Sequence, residues 1–151
     1  MRFAAIVVIL LSTTGPSVAA DVHGYAVIGR DGTVRVDGQT FRLAGVLMPD
    51  SGFFCDRVTI PARCAPRAVL ALEAFLRHFV SCRPHGRSSD GAIEATCWQT
   101  LRPGTTIDLS AWLIEQGWAL AAPGAPPLYA ALERLARQRR AGLWGIPVDS
   151  R

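Results

Sequence analysis

Val34-Arg35-Val36-Asp37-Gly38-Gln39-Thr40-Phe41-Arg42-Leu43 is the stretch that decides the fold. Asp-Gly between two alternating apolar runs is a strong signal for a two-residue β-hairpin. Folding about Asp37-Gly38 sets Val34 opposite Phe41 on one face and Arg35 opposite Thr40 on the other. One face is then apolar and the other polar, which fixes the register.

Upstream, Gly24 to Ile28 is a β-branched run joined to Thr33–Val36 through the turn Gly29-Arg30-Asp31-Gly32. Three strands therefore fill residues 22 to 47. Downstream, a loop rich in proline and cysteine runs from Pro49 to Pro66. Val69, Leu70, Leu72, Phe75, Leu76 and Phe79 recur at helical spacing and predict a helix over Arg67–Phe79. Val80–Arg83 and Ile93–Trp98 predict a second hairpin, turning near Ser89-Asp90-Gly91. Asp108 stands in the N-cap region of a short helix through Leu113 and Ile114, ended by Gly117. Pro126-Pro127 opens a last helix, Leu128–Arg140, with Leu132, Leu135 and Ala136 inward and Gly142 as its stop. The order is βββ-α-ββ-α-α, an α+β and mainly β protein of five strands and three helices. A small closed barrel suits such a meander because it leaves no exposed edge.

The N-terminus reads as an export address. Arg2 precedes nine apolar residues, Phe3–Leu11, and Ser17-Val18-Ala19-Ala20 offers small residues for cleavage between Ala20 and Asp21. Nine residues fall short of the roughly 20 that span a bilayer, although the segment also admits reading as an N-terminal anchor. Residues 1–20 are thus expected to be a signal peptide, and residues 21–151 one periplasmic or secreted domain without a membrane span. Removing Arg2 lowers the formal charge from +4 to +3, too little to argue nucleic acid from charge alone. All 16 basic residues are arginine, a side chain suited to bidentate contact with phosphate or carboxylate.

Four cysteines, Cys55, Cys64, Cys82 and Cys97, allow three disulfide pairings in an oxidising compartment. Cys82 and Cys97 bracket the second hairpin, which favours the pairs Cys55–Cys64 and Cys82–Cys97. Their spacing lacks the close C-x2-C of zinc sites.

Tyr25–Asp50, Cys82–Cys97, Gly117-Trp118-Ala119, Tyr129-x3-Glu133-x2-Ala136-Arg137 and Gly142-Leu143-Trp144 stand in the order of blocks in the staphylococcal-nuclease family. The chain resembles the secreted branch of that family over nearly all of residues 21–151, and both cysteine pairs sit where that branch has them. The resemblance implies an OB-fold barrel with three helices. It also implies Ca²⁺-dependent hydrolysis of DNA and RNA, through two metal-binding aspartates, a glutamate at water and two arginines around phosphate. The residues at those positions depart from the pattern. Arg42 matches the first arginine, and Asp50, after Pro49, replaces the glutamate one methylene shorter. The second metal aspartate falls on Leu47, followed by Met48. The first falls on Gly32, or on Asp31 if the turn carries one inserted residue. The second arginine falls on Ala92.

Two functions follow. In one, the chain is a non-catalytic or vestigial nuclease-like domain whose barrel face, with Arg30, Arg35 and Arg42, binds an anionic polymer, polysaccharide or nucleic acid. The chain is similar in length, export signal and eroded site to nuclease-like proteins that accompany succinoglycan-type exopolysaccharide biosynthesis. In the other, an altered phosphodiesterase holds Ca²⁺ on Asp31 and Asp50 with Arg42 on phosphate. A third reading, a protein-interaction domain, places its contact on the Phe53-Phe54 loop. Arg83, Arg87, Asp90 and Glu94, in or near the second hairpin, could approach the same mouth, but read rather as solvated turn residues.

Overall fold

The computed structural model describes residues 20–48, 64–76, 79–88 and 90–145. Its first strand, β1 (Val22–Ile28), runs antiparallel to β2 (Val34–Val36), which turns through Asp37-Gly38 into β3 (Gln39–Leu43). Asp37 and Gly38 both have positive φ, 47° and 76°, as a twist-matched two-residue hairpin turn requires. Val34 pairs with Phe41 and Arg35 with Thr40, the register read from the sequence. Val34, Val36, Phe41 and Leu43 are buried, and the residues between them face outward.

A two-residue strand, β4 (Val46–Leu47), follows. Helix α1 (Cys64–Phe75) then leads into the long hairpin β5 (Phe79–Arg87) and β6 (Ile93–Arg102), extended by β7 (Thr105–Asp108). After α2 (Leu109–Glu115) comes β8 (Leu120–Ala121), which pairs with β4; α3 (Pro127–Gln138) and a 3-10 turn, Gly142–Gly145, complete the fold.

β1 pairs with both β2 and β5, β2 with β3, β5 with β6, and β3 with β6. Through these pairings β1, β2, β3 and β5 each have two bonded neighbours, and β6 has three, counting β7. The β3–β6 pairing is parallel, joining Phe41 to Ile93, Arg42 to Glu94 and Leu43 to Ala95. Val80, Cys82, Ala95 and Cys97 meet the hairpin's apolar face, with Leu72 from α1 and Leu109, Leu113 and Ile114 from α2.

The predicted helix over Arg67–Phe79 is shifted: α1 ends at Phe75, and Phe79 belongs to β5 with its ring half exposed. Apolarity at helical spacing misled there because Phe79 packs on Tyr25 across the β1–β5 pair. Leu70 and Leu135, expected inward, are exposed, while Tyr129 and Ala136 are the buried residues of α3. The five expected strands become eight, because β4, β7 and β8 are too short to leave a periodic signal. Strand ends also move: β1 starts at Val22, and the second hairpin reaches Arg87 and Arg102.

α2 begins where Asp108 Oδ1 accepts hydrogen bonds from the Ser110 and Ala111 amides. Asp108 Oδ2 accepts from the Tyr129 hydroxyl at 2.7 Å, tying α3 to the same cap. Burial and the Asp108 carboxylate push the Tyr129 hydroxyl well above its ordinary pKa. The Ser110 hydroxyl donates to the Ala44 carbonyl, and a Cβ on Gly45 would lie 2.9 Å from the Tyr129 ring. Helices α2 and α3 thus clamp the β3–β4 turn from behind.

Cys82 and Cys97 are bonded across β5–β6, directly opposite in register and fully buried. The Cys55–Cys64 expectation lies outside the described residues. Among the described residues, no helix is long and apolar enough to cross a membrane. The bridge spans a sequence separation of 15. Replacing Cys82 and Cys97 together by alanine is expected to lower unfolding stability by roughly 3 kcal/mol, read from the urea midpoint at constant m.

Candidate functional site

The turn between β1 and β2 faces the end of β3 and β4. Gly29 N–H donates to the Thr33 carbonyl and Gly32 N–H to that of Gly29, closing a tight loop. Within it, Asp31 Oδ1 accepts from both the amide and the hydroxyl of Thr33, at 3.1 and 2.7 Å. The Thr33 hydroxyl holds the Asp31 carboxyl below its ordinary pKa, against a partial desolvation; Arg42 adds a smaller pull in the same direction. Asp31, Thr33 and Arg42, with Gly32, Leu47 and Met48, line a cavity of about 250 Å³.

The expected residues Asp31 and Arg42 therefore meet in one place, as do the two replacements. Leu47 offers its side chain at 42% exposure where a ligand oxygen was expected. Met48 packs over Gly32 so closely that a Cβ there would lie 2.8 Å from the methionine methyl. Gly32 also has φ +78°, which L side chains rarely adopt. A carboxylate at position 32 would thus need both a strained backbone and the space that Met48 fills.

Arg42 is engaged. Its guanidinium forms an ion pair with Asp90 at 2.7 Å. Asp90 is itself posed by the Ser88 hydroxyl at 2.5 Å and the Ala92 amide at 3.3 Å. The Ser88 hydroxyl, then Arg42 and the Ala92 amide, lower the Asp90 carboxyl to a pKa of about 2. Glu94 lies beside Arg42 in the parallel β3–β6 register. Of the second-hairpin residues that could approach the mouth, Asp90 does so while staying half exposed: the β3–β6 pairing brings it over the arginine. Its neighbours stay apart from the cavity, since Arg87 donates to the Gly91 carbonyl and Arg83 grips Asp21 through two 2.8 Å bonds. Ala92, at the second arginine position, adds only its backbone groups to the turn.

Arg30 and Arg35 are exposed, Arg30 in the first turn and Arg35 on the outward side of β2. Neither forms an ion pair with another described residue. Asp50 and the Phe53-Phe54 loop lie outside the described residues.

A calcium ion takes roughly six to eight oxygen ligands. Asp31 alone among the cavity's lining residues carries a carboxylate, one of whose oxygens already accepts two hydrogen bonds. No group of three or more metal-ligating side chains occurs among the described residues. Among the described residues, Asp31 is thus the one carboxylate this cavity would offer a cation.

No protein-family model matches the chain. Over 144 residues it is 28% identical to "Succinoglycan biosynthesis protein ExoI" of Rhizobium meliloti (strain 1021), covering 93% of this chain and 73% of that protein. The nuclease-family resemblance accordingly rests on the motif blocks alone.

Two outcomes test this geometry. Gly32→Asp is expected to destabilise the fold by about 1–3 kcal/mol in urea unfolding, from strain and overpacking against Met48. The depressed Asp90 pKa makes its contribution to stability complete above the unfolded value of 3.8 and lost as pH falls through about 2. Carboxyl NMR should show Asp90 titrating in that low range in the wild type and moving upward in Arg42→Gln.

Proposed function

We propose that this chain is an exported accessory protein of exopolysaccharide production that binds an anionic polymer and turns over no phosphodiester. The observation that carries the reading is the cavity's lining, in which Leu47 and Met48 bring no ligand oxygen and Gly32, at positive φ beneath Met48, is poorly placed to carry one. An arginine remains at the mouth, already paired with an internal carboxylate. Such a site suits recognition of a charged group better than stabilisation of a phosphorane, because catalysis needs preorganised charge aimed at the transition state.

The likeness to a succinoglycan biosynthesis protein supports the pathway assignment and the polysaccharide as the polymer. We read the circuit of five strands as an OB-type barrel, a fold whose outer face binds oligosaccharides as well as oligonucleotides. Arg30, Arg35 and Arg42 supply guanidinium groups for carboxylate partners. Export through a signal peptide cleaved between Ala20 and Asp21 agrees with a core disulfide, which persists in oxidising compartments. In the mature chain, Arg83 would then fasten the new N-terminal residue to β5.

The test has two arms. Incubated with Ca²⁺ and a labelled single-stranded oligonucleotide, the purified protein is expected to leave the substrate intact. A strain lacking the gene is expected to make less acidic exopolysaccharide, restored by the wild-type gene but not by one encoding Arg35→Gln and Arg42→Gln. Calcium-dependent cleavage abolished by Arg42→Ala and by Asp50→Ala would overturn the proposal.

A further inference from the structure

The outward face of an antiparallel sheet is ordinarily polar where it meets water. On β1 it is not. Tyr25 is 70% exposed and Val27 57%, and Phe79 beside them on β5 is 55% exposed. The Tyr25 and Phe79 rings lie 4.5 Å apart at 42°, one cross-strand pair with open faces. One row along, His23 Nδ1 and the Ser81 hydroxyl share a 2.7 Å hydrogen bond. In the other direction Val27 pairs with Arg35, Arg35 with Thr40, and Arg42 follows two residues on along the same face of β3. Aromatic rings, an aliphatic step and two guanidiniums therefore form one track across β5, β1, β2 and β3, ending at the Arg42 cavity.

We infer that this track is a docking site for an acidic polysaccharide chain, with sugar rings stacked on Tyr25 and Phe79 and a carboxylate held by Arg35. The inference rests on the reading given under Proposed function and names where on the barrel the polymer lies. A pyranose ring presents an apolar C–H face and a hydroxyl rim. The C–H face complements the negative face of an aromatic ring, and the rim suits the His23–Ser81 row.

Charge selects among polymers. Four strands about 4.8 Å apart make a track roughly 14 Å wide. A duplex, with a phosphate about every 3.4 Å of helix axis on each strand, would lay about four charges of one strand across it. Against these stand Arg35, which has no acidic partner among the described residues, and Arg42, shared with Asp90. A polysaccharide whose carboxylates are separated by neutral sugars matches that sparse charge. A protein partner would need about 800 Å² on this side, more than three exposed apolar side chains provide.

Affinity gel electrophoresis with xanthan (acidic), laminarin (neutral) and an oligothymidylate tests the assignment. Wild type is expected to be retarded most by xanthan. Tyr25→Thr with Phe79→Thr, which keeps β propensity, should weaken xanthan binding about tenfold or more, as loss of stacking does. Tyr25→Trp should retain it, and Arg35→Gln should weaken it and flatten its salt dependence. Undiminished xanthan binding by a double variant of unchanged melting temperature overturns the track. If the arginine variants then still lose binding, the accessory reading stands without it. Tighter binding of oligothymidylate overturns the track in favour of nucleic acid, and absence of binding to every polymer overturns both readings. Should the double variant melt lower, the Tyr25 and Phe79 ring resonances of the wild type decide: rings unshifted by xanthan overturn the inference.

Discussion

The parallel pairing of β3 with β6 is the constraint on which the rest depends. Without it, β3 would be an edge strand carrying Arg42 at its margin, with unpaired backbone groups inviting association. With it, Phe41, Leu43, Ala95 and Cys97 share one interior, and the β5–β6 turn is brought over Arg42. A parallel contact between segments some fifty residues apart has a high loop-closure cost. That cost is met cooperatively, through burial of the hairpin's apolar face and the helical clamp behind the β3–β4 turn.

The same closure shapes the chemistry of the cavity. Asp31 is committed to its own turn, Arg42 to Asp90, and Met48 to the space above Gly32. Each polar group is satisfied locally, which agrees with the general rule that buried or half-buried polar groups find partners. A guanidinium so held can exchange one carboxylate for another.

Local signals were readable directly. Asp37-Gly38 fixed both the turn and its cross-strand pairs because a two-residue loop leaves no freedom of register. Asp108 as a helix start, and Cys82 facing Cys97, were equally legible, since each depends on neighbours in sequence or on one hairpin. What escaped was set by distance. Phe79 looks helical until Tyr25 is placed opposite it, and Leu135 looks inward until the packing of α3 is known. The Arg42–Asp90 pair joins strands that no periodicity relates. The site's replacements could be listed from motif positions, but that Met48 occupies the room above Gly32 required three-dimensional structure.

The sulfur bridge between β5 and β6 is wholly enclosed by the interior it helps to hold. Attack on a disulfide demands that a thiolate approach the sulfur–sulfur axis, so a small reductant must wait for the strands to part. Its reduction is thereby tied to opening of the β5–β6 pair, and under native conditions the rate of that reaction reports how often those two strands part.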